Sequence, residues 1–445
     1  MWRFGNCDEI FWFAFGIQQP CRELLNLTVE PTPLGKADSA VKTFALFLLL
    51  AFSTLILGCQ GIRRNSPIAG TPGDPAGASG QAAPSEFVYV ANLGSLNNPG
   101  GSISGFLVNQ QTGELAPVPG SPFPAGDSPG AITSDPAGHH VFVIEKKFSL
   151  VSGLCSEAKG ILLSENIESH SGKLGLAQKV TLDGFCPQSL AVDPEGKTLY
   201  VSEETSSTGA MLDGGEIQAF TIGQNGALNE IPGSPFPVAG GASALAIHPG
   251  GKLIYVVTGM DSQGIVVFDR DADSGRLGAP RAVAVRPEAH LAIVPSGKLM
   301  IAENASTIDQ VTLFSIDQGT GGLTPQPPMA RSLPWAVAVD PLGEFAALTV
   351  ASPLLAHLSG EIQIFRIDDS TSTMTQVPGT PAAAGNAPLN VKLDLQGKLV
   401  YSVATGDNSI AGFMFDRSSG SLIPVPGSPF KAGDTPIELT VAKPK

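Results

Sequence analysis

Short apolar strands separated by tight turns recur from residue 86 to the end of the chain. One strand carries a central aromatic or aliphatic pair. It appears as Val88-Tyr89-Val90, Val141-Phe142-Val143, Leu199-Tyr200-Val201, Ile254-Tyr255-Val256, Met300-Ile301-Ala302, Ala346-Ala347-Leu348 and Val400-Tyr401-Ser402. All but the first follow a turn: Asp135-Pro-Ala-Gly138, Asp193-Pro-Glu-Gly196, His248-Pro-Gly-Gly251, Pro295-Ser-Gly297, Asp340-Pro-Leu-Gly343 and Leu395-Gln-Gly397. Proline presets φ and glycine permits φ > 0, as such turns require. Another apolar strand precedes each turn, beginning at Ala131, Ser189, Ala244, His290, Ala336 and Asn390. A seventh, Ile437–Val441, ends the chain. Third strands such as Ile217–Phe220, Ile265–Phe268 and Ile362–Phe365 lead into Thr/Ser-Gly-x-Leu turns and a short fourth strand. No stretch of 86–445 sustains the apolar spacing of a helix.

The copies lie roughly 46–58 residues apart, the spacing of four-stranded propeller blades. The pattern predicts an all-β fold, a seven-bladed β-propeller over 86–445. Solenoid repeats are shorter and sandwiches lack a repeat, and no Gly-His…Trp-Asp pattern marks a WD40 array. The first copy lacks its innermost strand and the last copy has one to spare. Pairing Ile437–Val441 with Phe87–Ala91 therefore closes the ring from both chain ends and removes two open edges.

The N-terminus divides into three pieces. Phe44–Gly58 is apolar but short of the ~20 residues a spanning helix needs. With Lys42 before it, the run has the length of a signal-peptide core. It ends in Ile56-Leu57-Gly58-Cys59, which resembles a bacterial lipobox. That resemblance implies a lipoprotein signal over 41–59, with lipidation of Cys59 and cleavage before it; a plain secretory signal or an uncleaved anchor is the alternative. Residues 1–40 hold acids, Cys7, Cys21 and the aromatic patch Phe11-Trp12-Phe13. They read as an upstream extension outside the mature protein, because Val41 fits a GTG start. Residues 60–85 are rich in Gly, Pro, Ala and Ser and read as a flexible tether. The expected location is the bacterial cell envelope, with the membrane reached only through the lipid. In that oxidising setting, Cys155 in a long loop and Cys186 in the exit connection of the same blade are a candidate disulfide; two separate thiols are the alternative.

Composition narrows the function. Charged residues make up 15% of the chain, Gly 52 and Pro 37 mark it as turn-rich, and the formal net charge is −14. Without a basic stripe it is not expected to bind nucleic acid. The histidines are scattered, so no metal site and no cofactor is expected. No phosphate loop, Gly-x-Ser-x-Gly elbow or Cys-x-x-Cys pair appears.

The Asp-Pro-x-Gly-Lys-x-Leu-Tyr-Val units, the Thr/Ser-Gly-x-Leu turns and the Gly-Ser-Pro-Phe stretches at 120–123, 233–236 and 427–430 resemble the propeller lactonase family. That family includes 6-phosphogluconolactonase-like proteins and fungal muconate-lactonising enzymes. The resemblance covers 86–445 and implies a lactone hydrolase. The family's Gly-Pro-Arg-His stretch corresponds to Pro287-Glu288-Ala289-His290, and its Tyr-Val-x-Asn-Glu strand end to Met300-Ile-Ala-Glu303-Asn304. His290 and Glu303 carry over. The arginine position is Ala289, which removes the cation a sugar phosphate would need.

Side chains alternate along each inner strand. One register is apolar and packs between blades: Ile132, Leu190, Leu245, Leu291, Val337, Val391 and Leu439. The other faces the channel and is mostly alanine. Its polar exceptions are Ser189, His290, Asn390, Lys392 and Glu438, with Gln188 and Trp335 close by. A lactone hydrolase needs a base for water and a donor for the developing oxyanion. His290 is the candidate base, Glu303 or Glu438 its orienter, and Lys392 or Asn390 the donor; Ser189, Gln188 and Trp335 are candidate substrate contacts. Alternatively these residues satisfy one another and trapped water. Two functions remain open at this point: a monomeric hydrolase of a small lactone, or a non-catalytic propeller binding an envelope protein or glycan.

Overall fold

The computed structural model describes residues 85–95, 100–146, 159–184, 186–205, 214–258, 264–284, 290–304, 310–327, 329–330, 334–351 and 359–445. The expectations for 1–84, including lipidation of Cys59, lie outside the described residues, as does Cys155.

The described residues form seven antiparallel sheets arranged as a seven-bladed β-propeller. The innermost strands are Pro436–Ala442 in blade 1, then Pro129–Ser134, Cys186–Val192, Ala244–Ile247, His290–Ile293, Pro334–Val339 and Pro388–Leu393 in blades 2 to 7. The ring closes as the sequence predicts. Phe87 pairs with Ala442, Tyr89 with Thr440, Val90 with Leu439 and Ala91 with Glu438.

The core lies between blades. Seven apolar clusters each draw on two adjacent blades, for example Phe142, Leu162, Leu190, Val201 and Phe220 between blades 2 and 3. The apolar register of the inner strands supplies Ile132, Leu190, Leu245, Val337, Val391 and Leu439 to this packing, all buried. Leu291 packs there partly buried.

The recurrent motifs have local roles. Each of the four tyrosines, Tyr89, Tyr200, Tyr255 and Tyr401, donates its hydroxyl to a glycine carbonyl of the next blade: Gly172, Gly275, Gly321 and Gly113, at 2.6–2.9 Å. Those glycines stand at positive φ in the Thr/Ser-Gly-x-Leu turns. The strand tyrosine and the turn glycine are thus two ends of one inter-blade bond. In the Asp-Pro turns, Asp193 Oδ1 accepts from Lys197 N and Thr198 N, and Asp340 Oδ1 from Glu344 N and Phe345 N. One oxygen of each carboxylate thus stabilises its turn, and the other pairs with Arg270 or Arg417.

Five sheets carry an extra short strand beside the third strand, so the outer strand runs in two pieces. In blades 1, 3 and 7 the break is the Gly-Ser-Pro-Phe stretch, where the Ser–Pro bond is cis. The serine hydroxyls there accept backbone N–H groups from Gly105, Ala219 and Gly412 at 2.9–3.0 Å. A side chain therefore satisfies donors that the broken ladder leaves over.

Candidate functional site

Inner strands begin at one mouth of the channel; in four blades the first paired residue is a proline, Pro129, Pro334, Pro388 or Pro436, and in blade 3 Pro187 follows Cys186. Proline has no N–H for the ladder and tolerates a strand start. Just after it the register slips, forming a β-bulge. A bulge re-aims a side chain, as is common beside functional sites. Gln188, Trp335, Leu389 and Ile437 occupy this position, and blade 2 has Gly130-Ala131.

Blade 5 pairs His290 directly with Glu303 across its first two strands. Cross-strand neighbours sit close enough for side-chain contact. Here His290 Nδ1 and the Glu303 carboxylate share a very short hydrogen bond. The imidazole side chain is 58% exposed while the carboxylate side chain is 1% exposed, so the ring faces the channel and its partner is hidden. The crowded channel pulls the imidazole pKa down. The bond to Glu303, its charge and that of Glu438 outweigh this and raise it above the ordinary value, with Lys392 opposing. For Glu438, desolvation raises the carboxyl pKa against the lowering influence of Lys392, His290, an Ile132 backbone bond and Lys146. His290, Lys392 and Glu438, on blades 5, 7 and 1, thus act on one another electrostatically.

A second chain of polar groups joins them. Lys146 Nζ donates to Gln188 Oε1 at 2.8 Å, and Gln188 Nε2 donates to Glu204 Oε2 at 2.9 Å. The Gln188 amide also lies 3.1 Å from Cys186 Sγ. Cys186 is disulfide-bonded. Desolvation lowers the Lys146 pKa while Glu204 and Glu438 raise it. Gly130 makes room for this lysine: a Cβ there would lie 2.9 Å from Lys146 Cε.

Sequence reasoning named Gln188 but missed Lys146 and Glu204. Both lie at or just beyond the end of a second strand, beside the start of an inner strand, as Glu303 does. Aligning those strand ends, Glu145-Lys146, Glu203-Glu204 and Glu303-Asn304, is the signal that would have found them.

The remaining candidates are placed differently. Asn390 Oδ1 accepts the Leu439 N–H at 3.4 Å and its carbonyl accepts Ser402 Oγ at 2.8 Å, so this side chain bridges the inner strands of blades 7 and 1. Ser189 is half-buried in the channel register opposite Ser202. Trp335 is half-buried at the bulge of blade 6. Among the described residues no side-chain hydrogen bond joins Ser189 or Trp335 to the charged cluster.

Residues 222–340 match the family Lactonase, 7-bladed beta-propeller. The resemblance to propeller lactonases read from the motifs is therefore shown. No curated protein matches the sequence. Solved structures with a similar fold include a "putative 6-phosphogluconolactonase" of Bacteroides fragilis, at TM-score 0.64 and 20% identity, covering 83% of this chain and 100% of the other. The periplasmic gluconolactonase of Pseudomonas aeruginosa aligns at TM-score 0.63 and 15% identity, covering 81% and 100%. A protein from Lactobacillus plantarum aligns at 0.62 and 14%, again covering 81% and 100%. At such identities the structural likeness concerns the fold. A shared fold does not carry an activity with it.

Proposed function

We propose that this lactonase-like propeller hydrolyses a small lactone at the channel mouth, exported and anchored through a lipid on Cys59. The observation that carries the chemistry is the His290–Glu303 pair: an exposed imidazole held by a buried carboxylate at the start of an inner strand. With Nδ1 engaged by Glu303, Nε2 is the nitrogen that takes a proton. His290 removes a proton from water, and the hydroxide attacks the lactone carbonyl carbon. Charge developing on the carbonyl oxygen is met by the Lys392 ammonium. Collapse breaks the ring C–O bond, and the imidazolium returns its proton to the leaving alkoxide. The missing arginine at Ala289 favours a lactone without phosphate.

The test is a panel of lactones assayed against the wild type and His290→Ala, with melting temperature as the folding control. Turnover lost in the variant at unchanged melting temperature supports the reading. If the wild type opens no lactone on the panel, the hydrolase reading fails and the propeller is a binding module.

A further inference from the structure

The channel wall departs from the ring's repeat in one sector. In the register facing the channel, blades 4 and 6 offer only alanine, at Ala244, Ala246, Ala336 and Ala338. At the same level as those second alanines, Ala191 and Ala292 continue the pattern in blades 3 and 5. Small side chains suffice where inner strands converge. Blades 7, 1 and 2 instead place Lys392, Thr440 and Thr133 at that level, with Glu438 above Thr440. These three blades meet at the seam where the chain ends pair. A cavity of about 250 Å³ opens against them, lined by Lys392, Glu438, Thr133, Thr440, Leu190 and Leu395 among others. That is just below the ~300–1,000 Å³ of drug-sized sites and suits a small acid. Among the described residues, no carboxylate forms an ion pair with Lys392 within 4.0 Å. The cavity therefore offers the Lys392 ammonium, the Thr133 and Thr440 hydroxyls, the second shared with Ser134 Oγ at 3.2 Å, and an apolar flank, with the Glu438 carboxylate on its wall.

We infer that this seam cavity is the holding site for the ring-opened product, a small hydroxycarboxylate. The assignment rests on the hydrolase reading for its link to turnover, but its binding chemistry stands alone. Adding water across the lactone C–O bond yields one carboxylic acid and one alcohol, and the acid loses its proton at neutral pH. The oxyanion that Lys392 meets during attack becomes an oxygen of that carboxylate, so the same ammonium retains it. The freed hydroxyl needs neutral partners, and Thr133 and Thr440 line the same cavity. Leu190 and Leu395 accommodate the connecting methylenes.

The experiment measures binding of 4-hydroxybutyrate, butyrate and γ-butyrolactone by calorimetry, to the wild type, Lys392→Met and Thr440→Val, with melting temperature as the folding control. Lys392→Met should weaken 4-hydroxybutyrate at least about tenfold, the worth of a charge-assisted contact. The wild type should prefer 4-hydroxybutyrate to butyrate, and Thr440→Val should reduce that preference. Turnover of lactones without Lys392-dependent binding of the hydroxy acid overturns this assignment and leaves the hydrolase reading standing. Lys392-dependent binding without turnover upholds the cavity and overturns the hydrolase reading. Equal affinity for butyrate and 4-hydroxybutyrate in the wild type overturns the hydroxyl subsite.

Discussion

Glu203 gives the sharpest quantitative test of how this ring tolerates buried charge. Its residue is 0% exposed at the end of the second strand of blade 3. Gly184 N donates to Oε2 at 2.9 Å. Desolvation, with Glu216 and Asp183 nearby, pushes its pKa up to about 8, against an ordinary 4.5. Below pH 4.5 folded and unfolded chains both carry the proton, and the site costs nothing. As pH rises, the unfolded chain ionises first while the folded one holds its proton. Stability is then lost from about pH 4.5 and continues to fall until the folded group ionises near pH 8. Each unit of separation corresponds to about 1.4 kcal/mol, so the gap sets a ceiling near ~5 kcal/mol. Local relaxation and water entry reduce that to about 2–3 kcal/mol.

Glu203→Gln removes the ionisation and keeps an oxygen for Gly184 N, with Glu216 and Asp183 near its amide. The variant should match the wild type at pH 4.5 and melt a few degrees higher at pH 8.5. Glu86 and Glu165, both raised to about 7 mainly by desolvation, slope the same way between about pH 4.5 and 7. Wild-type protein should therefore melt higher at pH 5.5 than at pH 8.5, read by thermal unfolding across a buffer series. A wild-type melting temperature that climbs from pH 5.5 to 8.5, or a variant difference that is the same at both ends, refutes the reasoning.

Other predictions are shorter. Glu303→Gln removes the carboxylate whose bond and charge raise the His290 pKa and leaves only Glu438 raising it, so the rising limb of the lactone pH–rate profile should move to lower pH; an unmoved limb means that Glu303 does not set the base. Tyr200→Phe deletes a buried hydroxyl that donates to Gly275 and accepts from Arg270, and should cost about 1–3 kcal/mol by urea denaturation. Gly130→Ala presses on the Lys146 stem and should change lactone KM more than melting temperature, whereas an unchanged KM would exclude Lys146 from the substrate path. Mature protein should begin at Cys59 and partition into detergent, and a Cys59→Ala protein that stays membrane-bound to the same extent would favour an uncleaved anchor.

The fold was legible because each blade repeats signals that act locally. Alternation at period two names the strands, and Pro and Gly name the turns. The leftover strand at each chain end names the closure. The candidate site was legible where polar residues broke the alanine pattern of the inner strands, as His290, Lys392 and Glu438 do, and, for His290 and Glu303, in the family motif. Lys146 and Glu204 were hidden because their strands read by their apolar centres, Val141–Ile144 and Leu199–Val201, and not by their polar ends. Their approach to the mouth depends on how the second strand pairs with its neighbours in space. Asn390 turns its side-chain oxygen to the Leu439 N–H, which leaves the amide nitrogen as the atom that could donate.

Closure and chemistry meet in the same strand, and this ties folding to function. Pro436–Ala442 buries Leu439, Val441 and Ala442 between blades and completes the sheet begun by Phe87–Asn92. Burial of Leu439 and Val441 is worth about 1.5–3 kcal/mol each. With the ladder to Phe87–Asn92, that is a large share of the ~5–15 kcal/mol that holds a domain together. The same strand sends Glu438 toward Lys392 and His290, and Thr440 into the seam cavity. An unclosed chain therefore lacks one wall of the site as well as one strand of blade 1. A chain ending at Thr435 should lose cooperative unfolding and 4-hydroxybutyrate binding together, and adding residues 436–445 back as a peptide should restore both. If the shortened chain keeps the full melting temperature, the closing strand does not hold the ring. If it folds and still binds the acid through Lys392, Thr440 has no part in the cavity.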